Sequence, residues 1–440
     1  VRAPLRSAYD LAGRLATALS TVVPAGRSGK VLRAFEARHG VLERFERWSA
    51  AHRNAERPLL WIHAPSVGEG LQARPILELF RSRRPEVQLV YTFFSPSAEG
   101  FARGLPADYA DYLPFDSVPN ARRILASVRP TALVFAKLDV WPLLAAEAHA
   151  AGVKLGLISG TLSAGAGRQQ PAARTLLGSA YAMLDAVGAI SSDDAQRLVS
   201  LGVRADRMRV TGDTRYDQVW QRARAFERAL AGDATPAAPM VALVNGLRST
   251  RPTLVAGSTW PPDEQVLLRS WEEVQSTVPH ARLVIVPHEP TAAHLAPLER
   301  WAADQGLRAA RPRDAAASTA DVVLVDSVGM LAELYALGNA AYVGGGFGSA
   351  GLHSVLEPAA FGLPVAFGPR HANSRDATVL LECEGASEVR DHQDASDVLS
   401  RWLGVPEAAN RAGRAARAAV EAGLGAAEVN FALVEELAGT

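Results

Sequence analysis

The stretch AYVGGGFGSAGLHSVLEPAAFGLPVAFG, residues 341–368, holds two short apolar runs, Ala341–Gly344 and Val365–Gly368, on either side of a glycine-rich turn and a segment of helical character. Short apolar runs bounded by turn residues read as buried strands, and a strand–helix–strand order pairs neighbouring strands in parallel. The helical segment HSVLEPAAFG carries Pro358 in its first turn, where a missing N–H costs little. Gly344, Gly345, Gly346, Gly348 and Gly351 let a backbone approach a ligand, and a helix amino terminus offers free N–H groups and partial positive charge. That combination suits a phosphate. A tight turn that needs glycine for backbone reasons alone is the competing explanation. Gly346, Gly348 and Gly351 also satisfy GxGxxG, but a dinucleotide fingerprint belongs on the first turn of its unit with an acid about 20 positions on. Here the turn comes late in the chain and the next strand ends in FGPRH, Phe367–His371. Glu357 is the carboxylate placed to accept hydrogen bonds from ribose hydroxyls.

The same pattern extends outward in both directions. Strands are expected at Thr253–Gly257, Arg282–Pro287 and Val322–Asp326 in the second half of the chain. In the first half they are expected at Leu59–Ala64, Gln88–Phe94, Ala132–Ala136, Lys154–Ser159, Ala186–Ile190 and Met208–Gly212. Longer helical segments alternate with them, which is the order of a mostly parallel α/β sheet. At 440 residues the chain exceeds what one core serves. AGDATPAAP, Ala231–Pro239, has no periodicity and suits a linker. The expected organisation is a basic amphipathic segment at 1–57, a Rossmann-like domain at 58–230, a linker at 231–240 and a second Rossmann-like domain at 241–440. The two doubly wound domains are expected to face each other across a cleft.

Composition is that of a globular protein: 48% hydrophobic and 21% charged residues exclude a disordered or membrane-embedded chain. The lone cysteine, Cys383, excludes an intramolecular disulfide framework. Zero formal net charge argues against a general nucleic-acid binder, yet residues 1–57 hold eleven Lys and Arg against five Asp and Glu, a surplus of six. Within them Leu5, Ala8, Ala12, Leu15, Leu19 and Val22 recur at helical spacing, while Arg6 and Arg14 interrupt any span long enough to cross a bilayer. A helix lying on an anionic membrane surface and a helix packed on its own domain both satisfy this pattern.

In open parallel sheets ligands sit beyond the carboxyl ends of the strands. WIHAPSVGEGL, residues 61–71, sets Glu69 between two glycines at such an end. A carboxylate there reaches a substrate without hindrance, and partial desolvation is expected to raise its pKa toward a useful range. An acid favoured by the dipole in a helix first turn is the plain alternative. HEPTAAH, His288–His294, is not HExxH, and Pro290 spoils the helix that would align two zinc ligands, so no metal is predicted. Neither a GxSxG elbow nor a Walker A sequence occurs. Trp141, Trp260, Trp271 and Trp301 are expected as core or cleft walls.

Taken in order, WIHAPSVGEG, FFSPSAEG (93–100), YLPFD (112–116), FAKLDVWP (135–142), TGDTRYD (211–217), AGSTWPPDE (256–264), VPHEP (286–290), DSVGMLAELY (326–335) and the glycine-rich stretch resemble the Kdo transferases of lipopolysaccharide biosynthesis over nearly the whole chain. The resemblance implies a GT-B glycosyltransferase that moves Kdo from CMP-Kdo to a lipid A precursor with inversion and without a metal or other cofactor. It implies Glu69 as general base, with Lys137, Asp139 and Arg215 completing the catalytic set. Lys137 and Asp139 stand where many relatives carry glutamates, Thr161 where many carry arginine, and Ser354 where asparagine is usual. The resemblance places CMP-Kdo against Ser258, Thr259, Pro287, His288, Val328, Gly329, Met330, Gly345, Gly346, His353, Ser354, Val355, Leu356 and Glu357. It further implies an acceptor domain at the cytoplasmic face of the inner membrane. A GT-B transferase using a UDP- or ADP-sugar, or a noncatalytic nucleotide-sugar or lipid-binding module, are the alternatives.

Overall fold

A computed structural model describes residues 3–22, 30–162, 171–232 and 239–439. The first sheet has strands β1 (Leu59–His63), β2 (Gln88–Phe93), β3 (Tyr109–Tyr112), β4 (Ala132–Ala136), β5 (Lys154–Gly160), β6 (Ala186–Ala189) and β7 (Met208–Val210). The second has β8 (Thr253–Thr259), β9 (Arg282–Pro287), β10 (Ala309–Ala310), β11 (Val322–Leu324), β12 (Ala340–Val343), β13 (Val365–Phe367) and β14 (Ala386–Glu388). All neighbours pair in parallel, in the orders β3-β2-β1-β4-β5-β6-β7 and β10-β11-β9-β8-β12-β13-β14. Both central strands β1 and β4 are buried at every position, as the unbroken apolar runs LLWIH and ALVFA require of strands covered on two faces.

Each expected strand is present within a few residues of its expected ends. The three that the sequence does not announce, β3, β10 and β14, all lie at sheet edges. Half-wet edge strands such as YADY and ASE carry no continuous apolar run.

The expected domain boundaries need correction. The chain divides into one compact unit formed by Val1–Gln218 with Leu424–Thr440, and a second formed by Val219–Gly423. The helix Thr214–Ala231 begins in the first unit and continues into the second, so the break falls within it. Residues 233–238 of the expected linker lie outside the described residues. The last helix, Ala426–Ala438, belongs to the first unit because Phe431, Leu433, Val434 and Leu437 are buried in its core. The Asp217 carboxylate anchors the returning chain by accepting the N–H groups of Gly425 (2.8 Å) and Ala427 (2.9 Å). Gly156 on β5 leaves the space that Leu437 fills: a Cβ there would lie 2.7 Å from Leu437 Cδ2.

The amino-terminal segment also divides. Val41–His52 is a core helix, with Val41, Leu42, Phe45 and Trp48 buried. Ala3–Val22 docks on the first unit through one polar face: the Asp10 carboxylate accepts Val118 N–H (2.7 Å), and Thr17 Oγ1 accepts from Asn120 Nδ2 (2.8 Å). Its other face leaves Leu11, Leu15, Leu19 and Val22 between 53% and 70% exposed. Among the described residues no helix is long and apolar enough to cross a membrane.

Candidate active site

In the first sheet the chain leaves β1 to one side for β2 and β3, then returns to the other side at β4. The loops after β1 and β4 therefore part at their carboxyl ends, where a doubly wound sheet opens a crevice. After β1 comes Ser66, extended at φ −138°, which precedes the helix Val67–Arg83 and brings Glu69 into its first turn. After β4 comes Lys137, in the left-handed region at φ 65°, its N–H donating to Ile158 O of β5 at 2.8 Å. Lys137 Nζ reaches Glu69 Oε1 at 3.1 Å, and Ser66 Oγ donates to the other carboxylate oxygen. Asp139, half-buried, lies in the same turn.

Glu69 reverses the expected shift. Burial alone pushes its pKa up, but the hydrogen bond from Ser66 and the charge of Lys137 outweigh burial and hold it below the ordinary value. Its side chain is 17% exposed, so the pair is partly desolvated yet reachable. The carboxylate is thus ionised across the neutral range.

One helical turn on, Gln72 Nε2 lies 3.4 Å from Asp213 Oδ1, and Thr214 Oγ1 donates to Gln72 O at 2.8 Å. Asp213, buried, accepts the backbone N–H (3.0 Å), Nε (2.8 Å) and Nη2 (2.6 Å) of Arg215. The loop GDTR is so fixed against the helix that carries Glu69, and Arg215 is held by a carboxylate two residues away. Beneath them His63, fully buried, bonds Thr92 Oγ1 through Nδ1 (2.9 Å) and accepts from Trp141 Nε1 at Nε2 (2.9 Å). Burial lowers its pKa to about 3, so it is a neutral tie between the ends of β1 and β4. Thr161 donates to Asp194 Oδ1 at 3.0 Å.

The second sheet opens between β8 and β12 in the same way. The residues expected to hold the donor lie at or just beyond the carboxyl ends of β11, β9, β8 and β12, which lie side by side. Their side chains differ in what they reach. Thr259 is fully buried and donates to Glu264 Oε1 at 2.8 Å, while Met330, Val355 and Leu356 are buried apolar residues. Val328 is 77% exposed, and Ser354 and His288 are exposed. Pro287 closes β9. Ser258 and Gly329 adopt left-handed backbones at φ 53° and 86°. Glu357 sits in the five-residue helix Leu356–Ala360, its pKa raised by burial against the charge of Arg222, whose guanidinium makes two bonds to Glu333 (2.6 and 2.9 Å).

The glycine turn packs against protein. A Cβ on Gly344 would lie 2.2 Å from Ser258 O, on Gly345 2.1 Å from Gly351 O, and on Gly346 2.6 Å from Gly368 N. For these three the close approach is between backbones, as the competing explanation had it. Asp263, fully buried and not singled out by the sequence, organises the turn: its carboxylate accepts N–H from Gly345 (2.8 Å), Phe347 (3.2 Å) and Trp260 (3.0 Å) and the hydroxyl of Tyr342 (3.2 Å). Its signal is an acid three residues after Trp260, the residue that precedes the helix Pro261–Thr277, and so in the first turn of that helix. Trp260, His288 and His353 stack, with ring centroids 4.7 Å apart for the first pair and 4.5 Å for the second.

Residues 39–218 match the family model of the 3-deoxy-D-manno-octulosonic-acid transferase (kdotransferase) domain. Among curated proteins, the 3-deoxy-D-manno-octulosonic acid transferase of Bordetella pertussis is 29% identical over 89% of this chain and 91% of its own. That of Haemophilus influenzae is 24% identical over 81% and 82%, and that of Aquifex aeolicus 27% identical over 79% and 86%. Among solved structures, the UDP-GlcNAc 2-epimerase of Neisseria meningitidis superposes with a TM-score of 0.62 at 14% identity, over 86% of this chain and all of that one. A putative UDP-N-acetylglucosamine 2-epimerase from Listeria monocytogenes gives 0.58 at 11% identity. The structural likeness establishes the fold alone, a two-domain α/β fold of GT-B type. Over most of its own length, and most of theirs, the chain is similar in sequence to the curated 3-deoxy-D-manno-octulosonic acid transferases.

Proposed function

We propose that the protein transfers Kdo from CMP-Kdo to a hydroxyl of a lipid A precursor, with inversion and with Glu69 as general base. The observation that carries this reading is the Glu69–Lys137 pair at the opening of the first sheet, an ionised, partly exposed carboxylate between two cation and hydroxyl donors. The acceptor oxygen forms a bond to the anomeric carbon as that carbon's bond to the phosphate oxygen breaks. The hydroxyl proton goes to Glu69 and the electron pair leaves with CMP. Arg215, fixed by Asp213, supplies positive charge for an anionic substrate group. The donor is held by the loops after β8, β9, β11 and β12, and departure of CMP needs no metal. The exposed leucine face of Ala3–Val22 rests on the anionic inner-membrane surface, while its polar face stays docked on the first unit.

The decisive experiment is incubation with CMP-Kdo and tetraacylated lipid A precursor, followed by mass analysis of the lipid. One or more added Kdo units, unaffected by EDTA, support the proposal. Thermal stabilisation by UDP with none by CMP overturns it in favour of another sugar donor.

A further inference from the structure

We propose that Trp260 is a positioning residue that fixes the tautomer of His353, so that His353 presents a neutral Nδ1–H to a phosphate oxygen of the bound sugar nucleotide. This rests on the donor assignment above. Trp260 Nε1 lies 3.0 Å from His353 Nε2. Indole N–H is a donor only, so Nε2 accepts and is unprotonated, and a neutral ring then carries its proton on Nδ1.

The surroundings leave that second nitrogen available. Gly345 lies against the Cδ2 edge of the ring: a Cβ there would be 3.2 Å from His353 Cδ2. Trp260 occupies the neighbouring Nε2, and the His288 ring covers one face. The opposite edge, with Nδ1, makes no hydrogen bond among the described residues and is not sealed in the interior. His353 is held at its backbone as well, its N–H donating to Gly344 O at 3.1 Å.

Trp260 is itself locked by the buried Asp263, which accepts its backbone N–H and those of the glycine turn. The orientation of the indole and that of the turn are therefore set by one carboxylate. The titratable groups facing His353 are His288, from the loop after β9, and Asp263, from the helix Pro261–Thr277. Burial and His288 lower its pKa, against the opposing charge of Asp263. Both effects agree with a donor that stays neutral while binding an anion, as a preorganised N–H in a fixed direction should.

The test uses the full chain labelled with 15N-histidine, with the His353 resonances assigned by their loss in H353N. Two-bond 1H–15N spectra at pH 7 are expected to show His353 protonated on Nδ1 and bare on Nε2. W260F keeps an aromatic ring to stack on His288 and deletes the N–H donor, together with one of the two fused rings of the indole. It is expected to shift His353 toward the Nε2–H or charged form and to weaken CMP binding about 5- to 10-fold by calorimetry, the loss of one hydrogen bond. A proton on Nε2 in the wild type overturns the proposal without any variant. So does a W260F protein with unchanged tautomer, or with a changed tautomer and unchanged CMP affinity. Failure of the wild type to bind CMP sinks the donor assignment instead, and the spectra still decide whether Trp260 sets the tautomer.

Discussion

Glu69 is the residue whose chemistry depends most on neighbours that are distant in sequence. Its place in a glycine-flanked turn at a strand end is legible in the chain. Its ionisation is not, because the balancing cation, Lys137, arrives from 68 residues away through a left-handed backbone position. Burial considered alone gives the wrong sign. Replacing Glu69 by Gln should lower kcat by about 10²-fold or more, the usual contribution of a general base, with CMP affinity unchanged. An equal loss of CMP affinity would reassign the residue to binding. In the wild type the acid limb of kcat/KM should lie below pH 4.5, the ordinary glutamate value, since the folded enzyme holds the carboxylate ionised. Lys137→Met leaves burial unopposed by the cation, so the limb should move to higher pH in a pH–rate profile. A limb that stays put would show that Lys137 is not what keeps Glu69 ionised. Asp263 escaped sequence reasoning for a related reason: its partners are backbone N–H groups some 80 residues downstream, which leave no mark on residue type.

At the scale of elements, unbroken apolar runs disclosed the interior strands, and weak edge strands went unseen because half of each meets solvent. Of the two roles expected of the amino-terminal helix, its polar face meets the packing on its own domain, and its other face is left exposed. Gly13 lets the docked face approach so closely that a Cβ there would lie 2.1 Å from Asp116 O. Gly13→Val should therefore destabilise this docking by about 1–3 kcal/mol, the range for overpacking, seen as a lower Tm. The combined change Leu11→Ser, Leu15→Ser and Leu19→Ser alters only side chains already more than half exposed. It should leave Tm unchanged and abolish flotation with anionic vesicles, since each leucine immersed in lipid contributes about 1.5–3 kcal/mol. Undiminished flotation would remove this helix from membrane binding.

At the scale of the whole molecule, two α/β units were evident from the restart of the strand pattern, but their boundary was not. The linker composition drew attention to residues 231–240, whereas the division follows packing and runs through a continuous helix. Nothing in the residue types of Ala426–Ala438 says which sheet it covers. Its apolar face suits either, and the choice is made by the space at Gly156 and by the Asp217 anchor. Asp217→Ala removes two hydrogen bonds to a charged acceptor and should cost the first unit about 2–3 kcal/mol. Calorimetry should show the transition of that unit falling while the other holds; a uniform fall would contradict the assignment of the last helix. This interrupted path also imposes an order on biosynthesis. Since residues 219–423 leave the ribosome before the helix that closes the first core, the earlier-translated unit must wait, with part of its apolar interior uncovered, until the later one has emerged. In the nascent chain, the unit begun first is the one completed last.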